Sequence, residues 1–391
     1  MIAVEKIEDT ARFEALKDEW NELLKNSASD CLFLTWEWLY TWWKHLSEDR
    51  RLHIITLRSD GELVAVAPLA LRSRQWRRLL PFPALEFLGA GSAGSDYLDI
   101  LIRRGRESHV LPVLGRFLAD GEFMLDLSRV SRNTAQAHAL ALELGQQGWI
   151  STRSSTDVCP LIDLSGHDWE SYLSSLGPAH RYNVRRRLRN LTKRWRVRFE
   201  QVQSESQRSE ALQQLIALHC RRWREGGNSD AFHTSTLVAF HEELSRLALE
   251  QGWLRLYVLR LDGEPAAALY GFQYHGTFYF YQSGFNLGFR QHSVGLITMG
   301  LAIKRAIEEG AKTYDFLRGD EPYKSLWTCE ERELVRLELY PPGERGAIYR
   351  QTMQLRWGIR KMVLQCLPGE LKYGLGQIGT RETTTGCQQD I

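Results

Sequence analysis

The stretch LHIITLRSDGELVAVAPL at residues 52–69 returns in altered form as LRLYVLRLDGEPAAALYG at residues 254–271. At a constant offset of 202 residues (254 minus 52), both read L-x-x-x-x-L-R-x-D-G-E-x-x-A. In each copy two apolar runs flank Asp-Gly, Asp60-Gly61 and Asp262-Gly263, the dipeptide that best suits a tight turn between antiparallel strands. The identity reaches past the turn to Leu57/Leu259, Arg58/Arg260, Glu62/Glu264 and Ala65/Ala267, which favours duplication over coincidence. A chain of 391 residues is also too long for one ordinary core. Two related domains in tandem are therefore expected, 1–160 and 161–342, followed by a helix and a flexible tail over 343–391.

The surrounding pattern fixes the fold class. In the first half, helical periodicity at 11–26 and 33–46 precedes the hairpin, and Phe33, Trp36, Tyr40 and Trp43 share one face of the second helix. A strand near 97–102, a helix near 107–119, a strand at 122–127, a helix at 132–146 and a strand at 149–156 follow. The second half offers helices near 168–176, 180–195, 206–224 and 234–250. Strands at 253–260, 264–274 and 277–283, a helix at 295–309 and strands at 312–317 and 331–340 come next. This order implies an α/β (α+β) fold in which each domain is a mixed, mostly antiparallel twisted sheet flanked by helices. Residues 343–366 read as a final helix and 376–391 as a frayed tail.

Composition excludes several classes. A formal net charge of +2 demands no polyanionic partner. The six cysteines are scattered without ligand spacing, so a reducing compartment and no metal site are expected. The opening MIAVEKIEDT has acids where an export signal would be cationic and then apolar. No apolar run approaches the ~18 residues of a membrane span, and a cytoplasmic location is expected.

Three stretches carry chemistry. Arg290, Gln291, His292, Ser293, Val294 and Gly295 form a short loop feeding the helix at 295–309. Its free N–H groups and the positive end of the helix dipole suit a pyrophosphate, while an ordinary helix start capped by Ser293 is the plain alternative. After the strand TYDFL, residues 318–327 pack Arg318, Asp320, Glu321, Tyr323 and Lys324 beside Gly319 and Pro322, a charged loop rather than a regular element. Residues 181–198 hold nine Arg or Lys and no acid, with Val184, Leu188, Leu191 and Trp195 on one helical stripe. A solvated cationic face is the plain reading of that helix.

Together with FLTWEWLYTWW near the start, GSDYLDIL at 94–101, RYNVRRRLRN at 181–190 and YDFLRGDEPYKSLW, these stretches resemble the CelD-type acetyltransferases. This branch of the GNAT superfamily is associated with cellulose and other exopolysaccharide synthesis, and the resemblance spans about residues 33–340. Such proteins, like the Fem-type aminoacyltransferases of peptidoglycan bridge synthesis, look like two fused GNAT-like halves. The resemblance implies that Arg290, Gln291, Ser293, Val294 and Gly295 hold the CoA pyrophosphate, with Ser293 where a glycine is usual. It implies acetyl-CoA or another acyl-CoA as donor, and since only the second half shows such a phosphate loop, one donor per chain is expected.

In a GNAT sheet the fourth and fifth strands splay around the thioester, which would put the loop 318–327 beside the reacting carbonyl. Acyl transfer needs a base, a partner for the developing oxyanion and an acid for the leaving thiolate. Asp320, Lys324, Tyr323 and Asp315 are the catalytic candidates. Asp96, Tyr97, Arg318 and Glu321 are the substrate-binding ones, with a cleft between the halves for a bulky acceptor. Asp315 as a structural acceptor, and Arg318 as a partner for Asp320 or Glu321, stand as rivals. Asp96 and Asp99 lie three apart on an alternating stretch and so face opposite sides rather than forming a carboxylate pair.

The expected reaction is acylation of an amine or hydroxyl on a sugar, glycolipid or polysaccharide precursor. Residues 181–198 would give transient contact with the inner membrane surface, and nucleic acid is not expected. A Fem-type aminoacyl-tRNA-dependent transferase, or a non-catalytic accessory protein of a polysaccharide synthase, remain the alternatives.

Overall fold

The computed structural model describes residues 2–76, 80–133, 135–226, 232–353 and 355. The repeated hairpins are present as strands Ile54–Ser59/Glu62–Ala67 and Leu254–Leu261/Glu264–Tyr274. Asp60 and Gly61 lie at φ 52° and 86°, Asp262 and Gly263 at 50° and 94°, the paired left-handed residues of a type I′ turn. The likeness includes a defect. Each hairpin slips register at the repeated pair, Leu57/Arg58 and Leu259/Arg260, and each arginine donates to the carbonyl of its turn glycine.

Around them the halves run in parallel. The first sets Ile2–Ile7, helices, the hairpin, Leu101–Ile102, helix Glu107–Ala119, Met124–Ser131 and Ile150–Asp163 in order. The second sets Val197–Gln201, helices Glu205–Gly226 and Ser235–Glu250, the hairpin, Thr277–Phe285, helix Val294–Glu308, Thr313–Asp315 and Glu330–Tyr340 in order. Each half then gives its last strand to the other. Ile150–Asp163 pairs with Thr313–Asp315 and with Glu330–Tyr340 of the second half, while Glu330–Tyr340 also pairs with Met124–Ser131 of the first. The exchange makes one sheet of eleven strands among the described residues, beside a four-stranded sheet in the first half. The boundary expected at 160/161 falls inside the exchanged strand Ile150–Asp163.

A shared core joins the halves. Trp38 meets Phe33 at 4.7 Å, Phe240 at 5.6 Å, Tyr281 at 5.8 Å and Phe272 at 5.9 Å. Helix Trp36–Leu46 is deepest at Trp38, Leu39 and Trp42, a different side from that of Trp36, Tyr40 and Trp43. Trp36 and Tyr40 stack on its other side, at 4.3 Å.

Other expectations shift too. The stretch 97–102 is strand only at Leu101–Ile102. Strands Ile2–Ile7 and Val197–Gln201 and the hairpin Leu69–Trp76/Leu80–Phe87 are additions. Strand Leu80–Phe87 carries Pro81 and Pro83, and its parallel partner Met124–Leu125 reaches only Ala84 and Leu85, which leaves the prolines outside that pairing. The final helix is seen from 344 to 353; its expected continuation and the tail 376–391 lie outside the described residues.

Candidate active site

Strands Thr277–Phe285 and Thr313–Asp315 pair in parallel through Tyr279 and Asp315, and there they part. Two backbone devices open this fork. On one strand, Tyr270 faces Gln282 and Gly271 faces Phe280, so Tyr281 is the extra residue of a bulge that bends the strand. On the other, Leu317 takes φ 55°, a left-handed turn costly for a side chain with a Cβ. Asp315 clamps that turn by accepting the Leu317 N–H at 2.7 Å. Phe316 and Gly319 then donate to Pro160 and Val158 of the exchanged strand, at 2.9 and 3.0 Å. Inside the fork the Ser283 N–H donates to the Gln282 side-chain oxygen at 2.9 Å, and His219 bonds the Ser283 carbonyl at 3.1 Å.

The first half closes one side of the fork with the glycine-rich loop 89–97. Tyr281 donates its hydroxyl to the Ala93 carbonyl at 2.6 Å. A Cβ on Gly94 (φ 70°) would stand 3.4 Å from that hydroxyl and 3.7 Å from Arg318, so glycine permits the close approach. Ser95 is tied down by the Trp38 indole at 2.8 Å. Fully buried Asp96 accepts the Arg318 N–H at 3.1 Å and faces its guanidinium at 3.5 Å; burial raises the Asp96 pKa above the ordinary carboxylate range. Tyr97 donates to Asp315 at 2.7 Å. Arg332, about half exposed, stands 3.7 Å from Asp315 and over the Tyr97 ring. Burial pushes Asp315 up to about 6 despite its bonds from Tyr97 and Leu317.

Beside this cluster Arg129 pairs with Asp157. Tyr97, Arg129 and Leu317 all have positive φ, at 58°, 64° and 55°, and the Leu98 N–H donates to the Arg129 carbonyl. Non-glycine residues held this way concentrate at functional sites. Asp99 is sent elsewhere: it accepts the N–H groups of Gln136 and Ala137 at a helix start and the Ser29 hydroxyl.

The loop 318–327 is held from within. Lys324, 3% exposed, aims its ammonium at the carbonyls of Arg318 (2.9 Å), Leu317 (3.2 Å) and Gly319 (3.4 Å) and pairs with Glu321 at 2.9 Å. Those partners use its N–H groups. Asp320 and Glu321 are exposed and Tyr323 is half-buried. Lys324 and Asp315 thus organise loop and fork, Asp96, Tyr97 and Arg318 gather against them, and Asp320 faces solvent.

The fork's mouth lies beside helix Val294–Glu308. A 3-10 turn, Leu287–His292, leads into Ser293 at φ 56° and ψ 39°, and the Ser293 side chain makes no cap bond. Its left-handed backbone is where glycine would be at ease. No acid sits in the helix's first turn. A Cβ on Gly295 would meet only Phe285, at an ordinary 3.5 Å, so internal packing does not require glycine there. The arginine-rich helix, expected at 180–195, spans Pro178–Arg194 and lies alongside: Arg187 donates to the Gln291 carbonyl at 3.1 Å. Arg290 and Gln291 are exposed and Val294 is buried. An uncapped helix start with a small second residue and cations nearby fits a pyrophosphate.

Tyr281, Arg129 and Arg332 were missed by sequence reasoning, and Arg187 was singled out only as part of the cationic stretch 181–198. The aromatic run TFYFYQS hints at a strand covered on both faces but not at its bulge. Among the described residues no His, Cys, Asp or Glu cluster could hold a metal, and no helix is long and apolar enough to cross a membrane.

Residues 178–325 match a family model described as an acetyltransferase (GNAT) domain. No curated protein matches the chain. Among solved structures the chain is similar to FemX at 14% identity, covering 84% of this chain and 96% of that one, with a TM-score of 0.57. It is similar to L-PGS from Bacillus licheniformis at 12% identity, covering 87% and 95%, with a TM-score of 0.52. A conserved protein of unknown function from Bacteroides thetaiotaomicron matches at 14% identity over 87% and 99%, with a TM-score of 0.50. At these identities the likeness is one of fold.

Proposed function

We propose that the protein transfers an acyl group, acetyl in the simplest case, from acyl-CoA to an amine or hydroxyl of a sugar, glycolipid or polysaccharide precursor. The observation that carries this reading is the fork of Thr277–Phe285 and Thr313–Asp315, opening beside the uncapped start of helix Val294–Glu308 within the GNAT-matching segment. Donor binding falls to residues 161–342, and the loop 89–97 of residues 1–160 forms the acceptor's wall. Acyl-CoA, when bound, supplies the activated carbonyl.

The chain's own groups do the rest. The N–H groups of Val294, Gly295 and Leu296 bind the pyrophosphate, with Arg290 and Ser293 beside them. The Ser283 N–H, released by a swing of the Gln282 side chain, donates to the acyl oxygen as charge develops there. The exposed Asp320 takes the acceptor's proton, fully buried Asp96 and its partner Arg318 brace the acceptor's wall, and Tyr97 or Tyr323 returns a proton to the leaving thiolate. Asp315 and Lys324 hold the geometry.

The location in this reading is cytoplasmic. The outward cations Arg186, Arg189 and Lys193 would favour an anionic membrane surface by roughly 1 kcal/mol each when close to it. A tRNA-dependent aminoacyl transfer draws support from the FemX-like fold and the same helix.

Calorimetric titration with acetyl-CoA separates the two. Binding is expected in the native protein and not in Gly295→Asp, which sets a carboxylate against the phosphates in a place where a side chain fits the fold. No binding, or equal binding by the variant, refutes the donor site.

A further inference from the structure

The arginine-rich helix reads as a solvated face, but one edge of it lies against the loop that leads into helix Val294–Glu308. Leu191 packs with Val294 and Ile297 at the start of helix Val294–Glu308. Arg187 and Arg194 lie four residues before and three after Leu191, on the same side of their helix. Arg187 donates to Gln291 in the phosphate loop at 3.1 Å. Arg194 lies over the Trp195 ring at 4.6 Å, and Trp195 meets His292 edge-on at 4.5 Å and Phe289 at 6.0 Å. Helix and loop are therefore one packed unit.

Its charges do not balance. In this helix, among the described residues, the ion pair is that of Arg185 with Glu170. Arg187 and Arg290 flank an uncapped helix start, Arg194 lies over the Trp195 ring that meets His292 of the same loop, and the partners the structure records for Arg187 and Arg194 include no carboxylate. The helix N–H groups suffice for a pyrophosphate, so the arginines answer to a second anion. A phosphate monoester carries about −1.5 to −2 at neutral pH, and the guanidinium fork matches its oxygens.

We infer that Arg187 and Arg194 bind the ribose 3′-phosphate of CoA, so that the helix Pro178–Arg194 selects CoA over donors lacking that group. This inference rests on the acyl-CoA reading. It assigns the loop-facing edge of the helix, half-buried Arg187 and exposed Arg194, a ligand of its own, separate from Arg186, Arg189 and Lys193.

The test is calorimetric titration of the full chain with CoA and with dephospho-CoA, which lacks only the 3′-phosphate. Charge-assisted bonds of this kind predict a preference for CoA of about 10- to 100-fold. In Arg187→Gln/Arg194→Gln, CoA affinity should fall to the dephospho-CoA level while dephospho-CoA binding stays unchanged. Arg189→Gln/Lys193→Gln should leave both unchanged. Equal binding of the two ligands by the native protein overturns the inference and leaves the acyl-CoA reading standing. Equal loss of both in the Arg187/Arg194 variant also overturns it, by showing support of the loop rather than contact with the phosphate. If neither ligand binds the native protein, the acyl-CoA reading fails and this inference with it.

Discussion

Replacing Asp315 with Asn should make the protein more stable at neutral pH and leave it nearly unchanged in acid. Asp315 is fully buried and its pKa is pushed up to about 6, against an ordinary value of 3.8. The folded protein therefore keeps this proton up to about pH 6, while the unfolded chain gives it up near 3.8. The stabilising contribution is complete below 3.8 and disappears as the pH rises through 6. The difference of roughly 2 units corresponds to about 3 kcal/mol at neutral pH. Asparagine keeps an oxygen for the Leu317 N–H, and its amide can donate to the Tyr97 hydroxyl, which accepts as readily as it donates. The lost attraction to the half-exposed Arg332 is worth at most about 1 kcal/mol. Urea unfolding of native and variant proteins from pH 4 to 7.5 isolates the effect. The stability difference should move in the variant's favour by up to about 3 kcal/mol. A difference flat with pH, or moving the other way, would refute a protonated clamp. Retained turnover in the variant would assign Asp315 to shaping the fork rather than to proton transfer.

Lys324→Met should lower stability by about 1–3 kcal/mol, because buried carbonyls of Arg318 and Leu317 lose their donor. An unchanged melting temperature would show that the loop holds itself without the ammonium. At the repeated turns, Gly61→Ala and Gly263→Ala each force a Cβ onto a left-handed backbone, with nothing within 4 Å to add a clash. Each should lose about 1–2 kcal/mol, matched within about 0.5 kcal/mol; costs far apart in denaturant titrations would break the structural equivalence of the two hairpins.

Local features were legible in the sequence. The hairpins follow from Asp-Gly between apolar runs, and most helices from their periodicity, because both depend on neighbours in the chain. What the sequence hid depends on distant partners. Tyr97 and Asp315 are 218 residues apart, and no local pattern announces that a tyrosine in one half braces a carboxylate in the other. The exchange of final strands leaves each strand's own pattern unchanged and alters only its partners. Tyr97, Arg129 and Leu317 adopt a backbone that composition assigns to glycine, so their strain is invisible until the surroundings that impose it are in place. The structural role of Lys324, expected to be catalytic, was hidden because most of its acceptors are carbonyls, which every residue carries.

The two halves also differ where the proposed donor site would lie. In the first half the counterparts of the fork strands are Leu101–Ile102 and Met124–Ser131, and they lie in different sheets. Its helix Glu107–Ala119 opens with an acid, Glu107, in the first turn, whereas Val294–Glu308 has none there. A phosphate would be drawn to the second helix start and repelled from the first. The loop 89–97, lying between hairpin Leu69–Trp76/Leu80–Phe87 and strand Leu101–Ile102, instead reaches across to Tyr281, Arg318 and Asp315. Duplication thus supplied two skeletons, of which one kept a fork and the other became its wall. Shortening the loop 89–97 should then abolish transfer to the acceptor while leaving CoA binding intact, a separation that a donor site shared between the halves would not give.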